Sequence, residues 1–229
     1  RKYLYYISVK YISRIGSSAN QDLLEILYME DPEERVKAFH AYLGKTENVK
    51  KFQKIFPVIA TTCISAHRLG EPEPQFDMTI MDEASQCNTA VSLVPILRGE
   101  KLMLVGDPQQ LNPVILLDEA ANQKLRRRYQ IADEYDYRKN SIYKTYLACD
   151  CVSDEVLLRY HYRCNRKIIG FNNRKYYNSR LKICSESQEA QPLVYVDVKD
   201  GKTDCKNMAP AEAEAVIRLA RDCGERTVG

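Results

Sequence analysis

MTIMDEASQ, residues 78–86, begins with an apolar run, and two adjacent carboxylates, Asp82 and Glu83, follow that run directly. A continuous apolar run predicts a strand, at residues 78–82, in a parallel sheet that is buried on both faces. Ligands of such sheets bind beyond the carboxyl ends of the strands, where the two acids would lie. One carboxylate there can hold Mg²⁺, and the other can orient and deprotonate an attacking water. The stretch therefore predicts a nucleotide-hydrolysis site, and its alternative is a strand that ends in an ordinary solvated acid pair.

A second stretch repeats this design further along the chain. KLMLVGDPQQLNP, residues 101–113, is an apolar strand followed by a polar turn. Gly106 allows close approach of the backbone, and the Asp-Pro pair after it favours a turn. Gln110 can present its amide to a phosphate. Because parallel strands end at one edge of a sheet, we expect Asp82, Glu83 and Gln110 to cluster there.

These two stretches resemble motifs II and III of superfamily-one DNA and RNA helicases. The closer resemblance is to the branch that moves 5′ to 3′, which includes the nonsense-mediated-decay and Okazaki-fragment helicases. VIATTCISA, residues 58–66, is similar to the strand and turn that touch the nucleic-acid backbone in that family. RYHYRC, residues 159–164, resembles the family's QYRM segment, with His161 in the place of glutamine and Cys164 in the place of methionine.

The resemblance implies roles for the matching residues. Asp82 is similar to the Mg²⁺-binding acid, and Glu83 is similar to the general base that activates water. Gln110 resembles the γ-phosphate sensor. Arg163 resembles an arginine finger that reaches the γ-phosphate from the second motor domain.

The resemblance also implies an activity and a partner. Thr61 and Thr62 are similar to residues that contact the backbone of a single strand. The implied function is an ATP-dependent helicase or translocase that couples ATP hydrolysis to movement on single-stranded DNA or RNA, with ATP and Mg²⁺ as cofactors. One alternative is a catalytically inactive module with the helicase fold that binds nucleic acid or protein. Another is a metal-dependent nuclease or other hydrolase, which would need further acids near Asp82 and Glu83.

A phosphate-binding loop would need the pattern G-x-x-x-x-G-K-[ST]. The chain has two Gly-Lys-Thr triplets, residues 44–46 and 201–203, but Phe39 and Val196 stand where the first glycine should be. We interpret the triplets as a helix stop and a surface turn. The family has this loop upstream of DEASQ, so we expect it before Arg1, and we expect the last helicase motifs beyond the other end. This chain alone is therefore expected to be inactive.

The pattern and the resemblance together predict an α/β fold, a RecA-like P-loop NTPase sheet of parallel strands flanked by helices. Further strands are predicted at residues 58–62, 156–159 and 193–197. Two helices are predicted within 20–55, and the second begins at the cap Asp31 with Pro32 at its first position and ends at Gly44. Another helix is predicted at 211–223, with Ala213, Ile217 and Ala220 facing inward and Gly224 as its stop. The predicted domains are the end of an upstream part of the first RecA-like domain (1–19), a helical stalk-like insertion (20–56), the rest of the first RecA-like domain (57–153) and the beginning of the second (154–229).

The amino-acid composition limits the possible classes of protein but does not indicate a specific function. The 229 residues are 45% hydrophobic, enough for a core, and the formal net charge of +3 is too mild to indicate nucleic-acid binding by itself. The basic run at residues 124–128 could hold phosphates, but the acids at 133–136 favour a solvated face within a mobile connection over 116–143. The eight cysteines lack metal-ligand spacing, which favours free thiols. Free thiols are typical of a reducing compartment, so we expect an intracellular protein (cytoplasm or nucleus/nucleoid). No apolar run is long enough to span a bilayer, so we expect no membrane partner.

Overall fold

The computed structural model describes residues 1–150, 152–186, 192–199, 201–204 and 206–222. The chain divides into two compact units, residues 1–154 and 155–229. Both units contain helices and a pair of parallel strands, so the predicted α/β class is confirmed. The finer division into motor-domain parts and a stalk stays a prediction.

The first unit contains helices and two strands. The helices are α1 (Lys2–Ile12), α2 (Gln21–Leu27), α3 (Pro32–Leu43), α4 (Thr46–Gln53), α5 (Thr89–Ile96), α6 (Glu119–Tyr129) and α7 (Ile142–Cys149). The strands are β1 (Thr79–Met81) and β2 (Leu102–Leu104). Short 3₁₀ turns lie at Ser13–Gly16, Ser18–Asn20, Ser65–Arg68, Ala84–Gln86 and Asp133–Tyr135.

Helices α2, α3 and α4 form an apolar cluster with the chain that follows them. Asp31 caps α3 by accepting hydrogen bonds from the backbone N–H groups of Glu33 (2.7 Å) and Glu34 (3.3 Å), and Pro32 occupies the first turn. This start was predicted, as was the end of α3 at Gly44. The region forms three helices where two were predicted. The buried side chains of the cluster are Leu23, Ile26, Tyr42, Leu43, Val49, Ile55 and Leu69, with Phe39, Phe52 and Phe56 packed against them.

Strands β1 and β2 pair in parallel, with Thr79 opposite Leu102 and Met81 opposite Leu104. Met81 is buried together with Ala84 and Ile142, the first residue of α7. Ile80 points the other way and is 62% exposed, so the prediction that β1 is buried on both faces is wrong. The reason is the period of a strand, because alternate side chains face opposite sides and only one side of this pair is covered by α7.

Three other predicted strands differ in the structure. Residues 58–62 and 193–197 have no strand ladder, although both sequences are rich in β-branched or aromatic residues. A strand requires a neighbour that accepts and donates its ladder hydrogen bonds, and composition does not supply one. The strand predicted at 156–159 does not form at those residues, and the strand of this region, β3 (Tyr160–His161), begins only after the predicted range ends.

The segment 116–143 is built around a buried carboxylate, whereas the sequence predicted a mobile connection. Asp136 accepts hydrogen bonds from the Asn122 side chain (2.9 Å), the Arg126 guanidinium (2.8 Å) and the Arg138 backbone N–H (3.0 Å). Burial would raise the pKa of Asp136, but the Asn122 and Arg138 hydrogen bonds and the Arg126 charge outweigh it and lower the pKa. Arg126 also pairs with Asp133, so one member of the basic run is structural.

The second unit has β3 paired in parallel with β4 (Lys182–Ile183), and helices α8 (Arg166–Tyr176) and α9 (Pro210–Asp222). Helix α9 covers the predicted range up to its last residue, while Cys223 and Gly224, its predicted stop, lie outside the described residues. Its predicted inward face is wrong, because Ala213 and Ile217 are exposed and Ala215 is buried.

Cys63, Cys87, Cys149, Cys164 and Cys184 are free thiols, and Cys151, Cys205 and Cys223 lie outside the described ranges. Within those ranges no three histidine, cysteine or acidic side chains are grouped as metal ligands. No helix in the same part of the chain has the length and apolar content to cross a membrane.

Candidate nucleotide site

The two candidate acids follow β1 without a gap. Asp82 accepts a hydrogen bond on Oδ1 from the Glu83 backbone N–H at 3.0 Å. Glu83 has φ 52° and ψ 36°, the left-handed conformation that residues other than glycine adopt rarely and at a cost. Both side chains are exposed. The turn thus presents two carboxylates to solvent from a backbone that is held in an uncommon conformation.

Hydrogen bonds on either side of the acids hold that conformation. The Val105 N–H donates to the Met81 carbonyl at 2.8 Å, and the Ala84 N–H donates to the Val105 carbonyl at 2.8 Å. Ala84 is fully buried beneath the turn. Gln86 donates a hydrogen bond from Nε2 to Oε2 of Glu83 at 3.1 Å. Because Met81 and Ala84 are both fixed to the chain after β2, the two residues between them have little freedom.

The turn after β2 packs against the turn after β1. A Cβ added to Gly106 would lie 2.8 Å from the Ser85 backbone nitrogen and 3.2 Å from that of Ala84, so only glycine fits without movement. The Asp107 N–H donates to the Ser85 hydroxyl at 3.3 Å. Both turns therefore meet at the carboxyl ends of β1 and β2, the edge at which parallel α/β sheets bind ligands.

Gln110 belongs to the second turn and is oriented by it. Its side-chain Nε2 donates to Oδ2 of Asp107 at 3.0 Å, and its backbone N–H donates to the Asp107 carbonyl at 3.0 Å. Asp107 also accepts the Gln109 N–H at 3.0 Å. A separate link, from Lys144 Nζ to the Asn112 side chain at 2.7 Å, joins the end of this loop to α7. The structure thus brings the turns of Asp82, Glu83 and Gln110 to one edge.

Comparison with known proteins finds similarity to an AAA domain family and to helicases. Residues 29–118 match a family described as an AAA domain. The DNA replication ATP-dependent helicase/nuclease DNA2 of Mus musculus is 29% identical over 160 residues, which cover 70% of this chain and 14% of that protein. The protein of the same name from Gallus gallus is 31% identical over 130 residues, covering 57% of this chain and 12% of the relative. An uncharacterised ATP-dependent helicase of Methanocaldococcus jannaschii is 32% identical over 108 residues, covering 47% of this chain and 14% of the relative.

The chain is similar to superfamily-one helicases of the 5′-to-3′ branch. It spans only 12% to 14% of the length of these relatives. The matched family segment begins at residue 29 and ends at residue 118, so it contains both turns of the candidate site.

The loop that contains Thr61 and Thr62 resembles the nucleic-acid contact of the helicase family. It packs near the turn that carries Asp82 and Glu83. Thr61 and Thr62 are exposed, and the Thr62 hydroxyl accepts the Ser65 N–H at 3.1 Å, which starts the 3₁₀ turn Ser65–Arg68. Cys63 is half-buried and packs against the cluster of Met81, Ala84 and Ile142. The threonines are therefore carried by a loop that is anchored through its next residue to the base of the candidate site.

The Cys87 thiol lies close enough to the Glu83 carboxylate for the two groups to interact electrostatically. Burial, first, and then the neighbouring Cys63 thiol and the Glu83 carboxylate raise the pKa of Cys87 to about 11. The thiol is therefore neutral near neutral pH and packs as a small apolar side chain. The proximity of Cys87 to Cys63 is not evident from the sequence, because the two residues are far apart in the chain.

Arg163, the residue that resembles the helicase finger, lies in the second unit. It is exposed on the short connection between β3 and α8. Asn165 begins α8 by accepting the Lys167 N–H at 2.9 Å. The His161 ring accepts the Cys164 backbone N–H at 3.0 Å. The sequence pattern pointed to His161 only as a departure from the helicase motif and did not predict this contact.

Proposed function

We propose that this chain supplies the hydrolytic acids and part of the strand contact of an enzyme that couples ATP hydrolysis to movement on single-stranded DNA or RNA. The observation that carries the proposal is the contact between the two polar turns at the carboxyl ends of β1 and β2. That contact assembles groups from two separate stretches of sequence at the edge where nucleotides bind in such sheets. An ordinary solvated acid pair would not require a glycine pressed against the next turn.

Asp82 is the residue that fits a magnesium ion. Magnesium prefers oxygen ligands and is usually held by one or two carboxylates together with substrate phosphates. The Asp82 carboxylate is exposed at the strand end, and its Oδ1 accepts the adjacent Glu83 N–H. Bound there with ATP, Mg²⁺ would neutralise the negative charge that develops on the phosphates.

Glu83 is proposed as the general base. Its carboxylate is exposed and oriented by the Gln86 amide, and its left-handed backbone is fixed between two anchored residues. A strained residue that the surrounding structure holds in place is typical of a functional position. A carboxylate there can orient a water and accept its proton while the γ-phosphoryl group transfers.

The remaining roles rest on the family pattern and on position. From the family pattern, Gln110 in the turn after β2 is proposed as the γ-phosphate sensor, and Arg163 is proposed as the arginine finger. Thr61 and Thr62 contact the backbone of the strand. The names of two relatives include DNA replication and DNA helicase, so single-stranded DNA should be tested first as the nucleic acid along which the protein moves. We also propose that the protein is intracellular.

The test is Glu83→Gln in the full-length protein, with Glu100→Gln as the matched control. Glu100 is an exposed acid beside the opposite end of β2, so the control makes the same change at the wrong edge. We expect Glu83→Gln to lower strand-stimulated ATP turnover by roughly a hundredfold or more while ATP affinity survives. Normal turnover in Glu83→Gln, or an equal loss in both variants, would refute the role of Glu83.

The chain itself offers a second test. We expect the 229-residue chain alone to show no ATP hydrolysis above background, because it lacks the lysine and amide cradle of a phosphate loop. The full-length protein should hydrolyse ATP and be stimulated by single strands. If the full-length protein binds strands but never hydrolyses ATP, the inactive binding module is the better description.

A further inference from the structure

Arg163 lies on a connection of three residues, 162–164, between the end of β3 and the cap of α8. Both ends of the connection are fixed. His161 is paired with Ile183 in the ladder, and its carbonyl accepts the Cys184 N–H at 2.8 Å. Asn165 is buried and caps the helix. The three residues between these anchors need a further constraint if the Arg163 guanidinium is to have a defined direction.

The His161 side chain supplies that constraint. Its ring Nε2 accepts a hydrogen bond from the Cys164 backbone N–H at 3.0 Å. This bond closes the connection across Tyr162 and Arg163, and both of these side chains are exposed. Nε2 can accept only in a neutral ring that carries its proton on Nδ1, so the contact also fixes the tautomer.

We infer that His161 is a positioning residue for Arg163, an inference that rests on the proposed role of Arg163 as the finger. The ring is attached to the end of β3 and restrains the backbone on the far side of Arg163. A glutamine at this position would offer its Oε1 oxygen at a reach similar to that of Nε2. The acceptor, rather than the imidazole itself, is therefore the property that histidine here shares with the glutamine of the family pattern.

The experiment compares His161→Gln with His161→Met in the full-length protein. The two replacement side chains have similar length and shape, and only glutamine carries a strong acceptor at its end. We expect His161→Gln to keep the kcat of ATP hydrolysis within about twofold of the parent, because its amide oxygen accepts the Cys164 N–H. We expect His161→Met to lower kcat by roughly ten- to hundredfold with little change in KM, because misplacement of a transition-state group leaves ground-state binding intact.

Two further variants separate positioning from folding. His161→Asn places its oxygen near the position of Nδ1, too short to reach the Cys164 N–H, so it should lose kcat as the Met variant does. It replaces the Met variant if that protein does not fold, as judged by thermal unfolding. The double variant His161→Met with Arg163→Ala should be no slower than Arg163→Ala alone, because both changes remove one function.

The outcomes distinguish this inference from the proposed function. If Arg163→Ala is slow but His161→Met has normal kcat, the inference is overturned and the finger stands. If the Gln and Met variants lose kcat equally, the acceptor is not the property that matters and the inference is also overturned. If Arg163→Ala itself has normal turnover, the finger fails and the inference fails with it. A slow Met variant, a rescued Gln variant and no added loss in the double variant support the inference.

Discussion

Glu83 and Asp136 are both carboxylates of the first unit, and their surroundings are opposite. Asp136 is 1% exposed and receives hydrogen bonds from two side chains and a backbone N–H. Glu83 is exposed, receives one side-chain hydrogen bond from Gln86 and lies on a left-handed backbone. The protein stabilises the first carboxylate with every partner that a buried charge requires. It leaves the second accessible on a strained turn, which is the arrangement expected for a group that reacts with a ligand rather than one that holds the fold.

The largest effect is expected from removing the buried carboxylate of Asp136, which tests the contrast with Glu83 most directly. Asp136→Ala leaves Arg126 and Asn122 without their shared acceptor, so we expect the segment from α6 to α7 to lose about 3–5 kcal/mol of stability. Hydrogen exchange of the amides in residues 119–142 of the full-length protein would measure it. Asp133→Ala is the matched control, because that side chain is 87% exposed and also pairs with Arg126. A similar loss of protection in both variants would contradict the assignment of Asp136 as the centre of this segment.

The contact between the two turns gives the next largest effect. Gly106→Ala places a methyl group against the Ser85 backbone, so we expect a stability loss of about 1–3 kcal/mol and displacement of the turn that carries Gln110. The rate of ATP turnover should fall by more than the decrease in the thermal unfolding midpoint can explain. Gly16→Ala is the control, since an added Cβ at Gly16 meets no atom within 4 Å. Turnover that is normal in Gly106→Ala would mean that the turns need not touch.

Acid should weaken the segment that is built around the Asp136 carboxylate. The pKa of Asp136 is lowered from its ordinary value of 3.8, so its contribution is complete above that value and is lost as the pH falls towards the folded-state pKa. Hydrogen exchange in residues 119–142 should therefore lose protection below about pH 4 in the parent protein. In Asp136→Asn this extra loss should be absent. A parallel acid dependence in the two proteins would assign the titration to another group.

The parts that the sequence predicted are those set by local chemistry. Asp31 and Pro32 start α3 because a side-chain acceptor and a fixed φ suit the first turn of any helix. The acids after β1 follow from an apolar run that stops. The contact of Gly106 with Ser85 could not be predicted, because it depends on the distance between two turns that the sequence separates. The ladder expected at residues 58–62 failed for the same reason, since composition supplies a strand former but not its partner.

The smallest expected effect concerns the backbone of Glu83. Glu83→Gly removes the steric cost of the left-handed conformation but adds the entropy of glycine, so stability should stay constant or rise by up to about 1 kcal/mol. Gln130, at the end of α6, has a similar φ of 51° and is the matched control. Gln130→Gly should give a comparable change in the thermal unfolding midpoint with unchanged ATP turnover, whereas Glu83→Gly should abolish strand-stimulated turnover. A Glu83→Gly protein that hydrolyses ATP normally would show that the strained turn holds the fold only, and the contrast with Asp136 would then disappear.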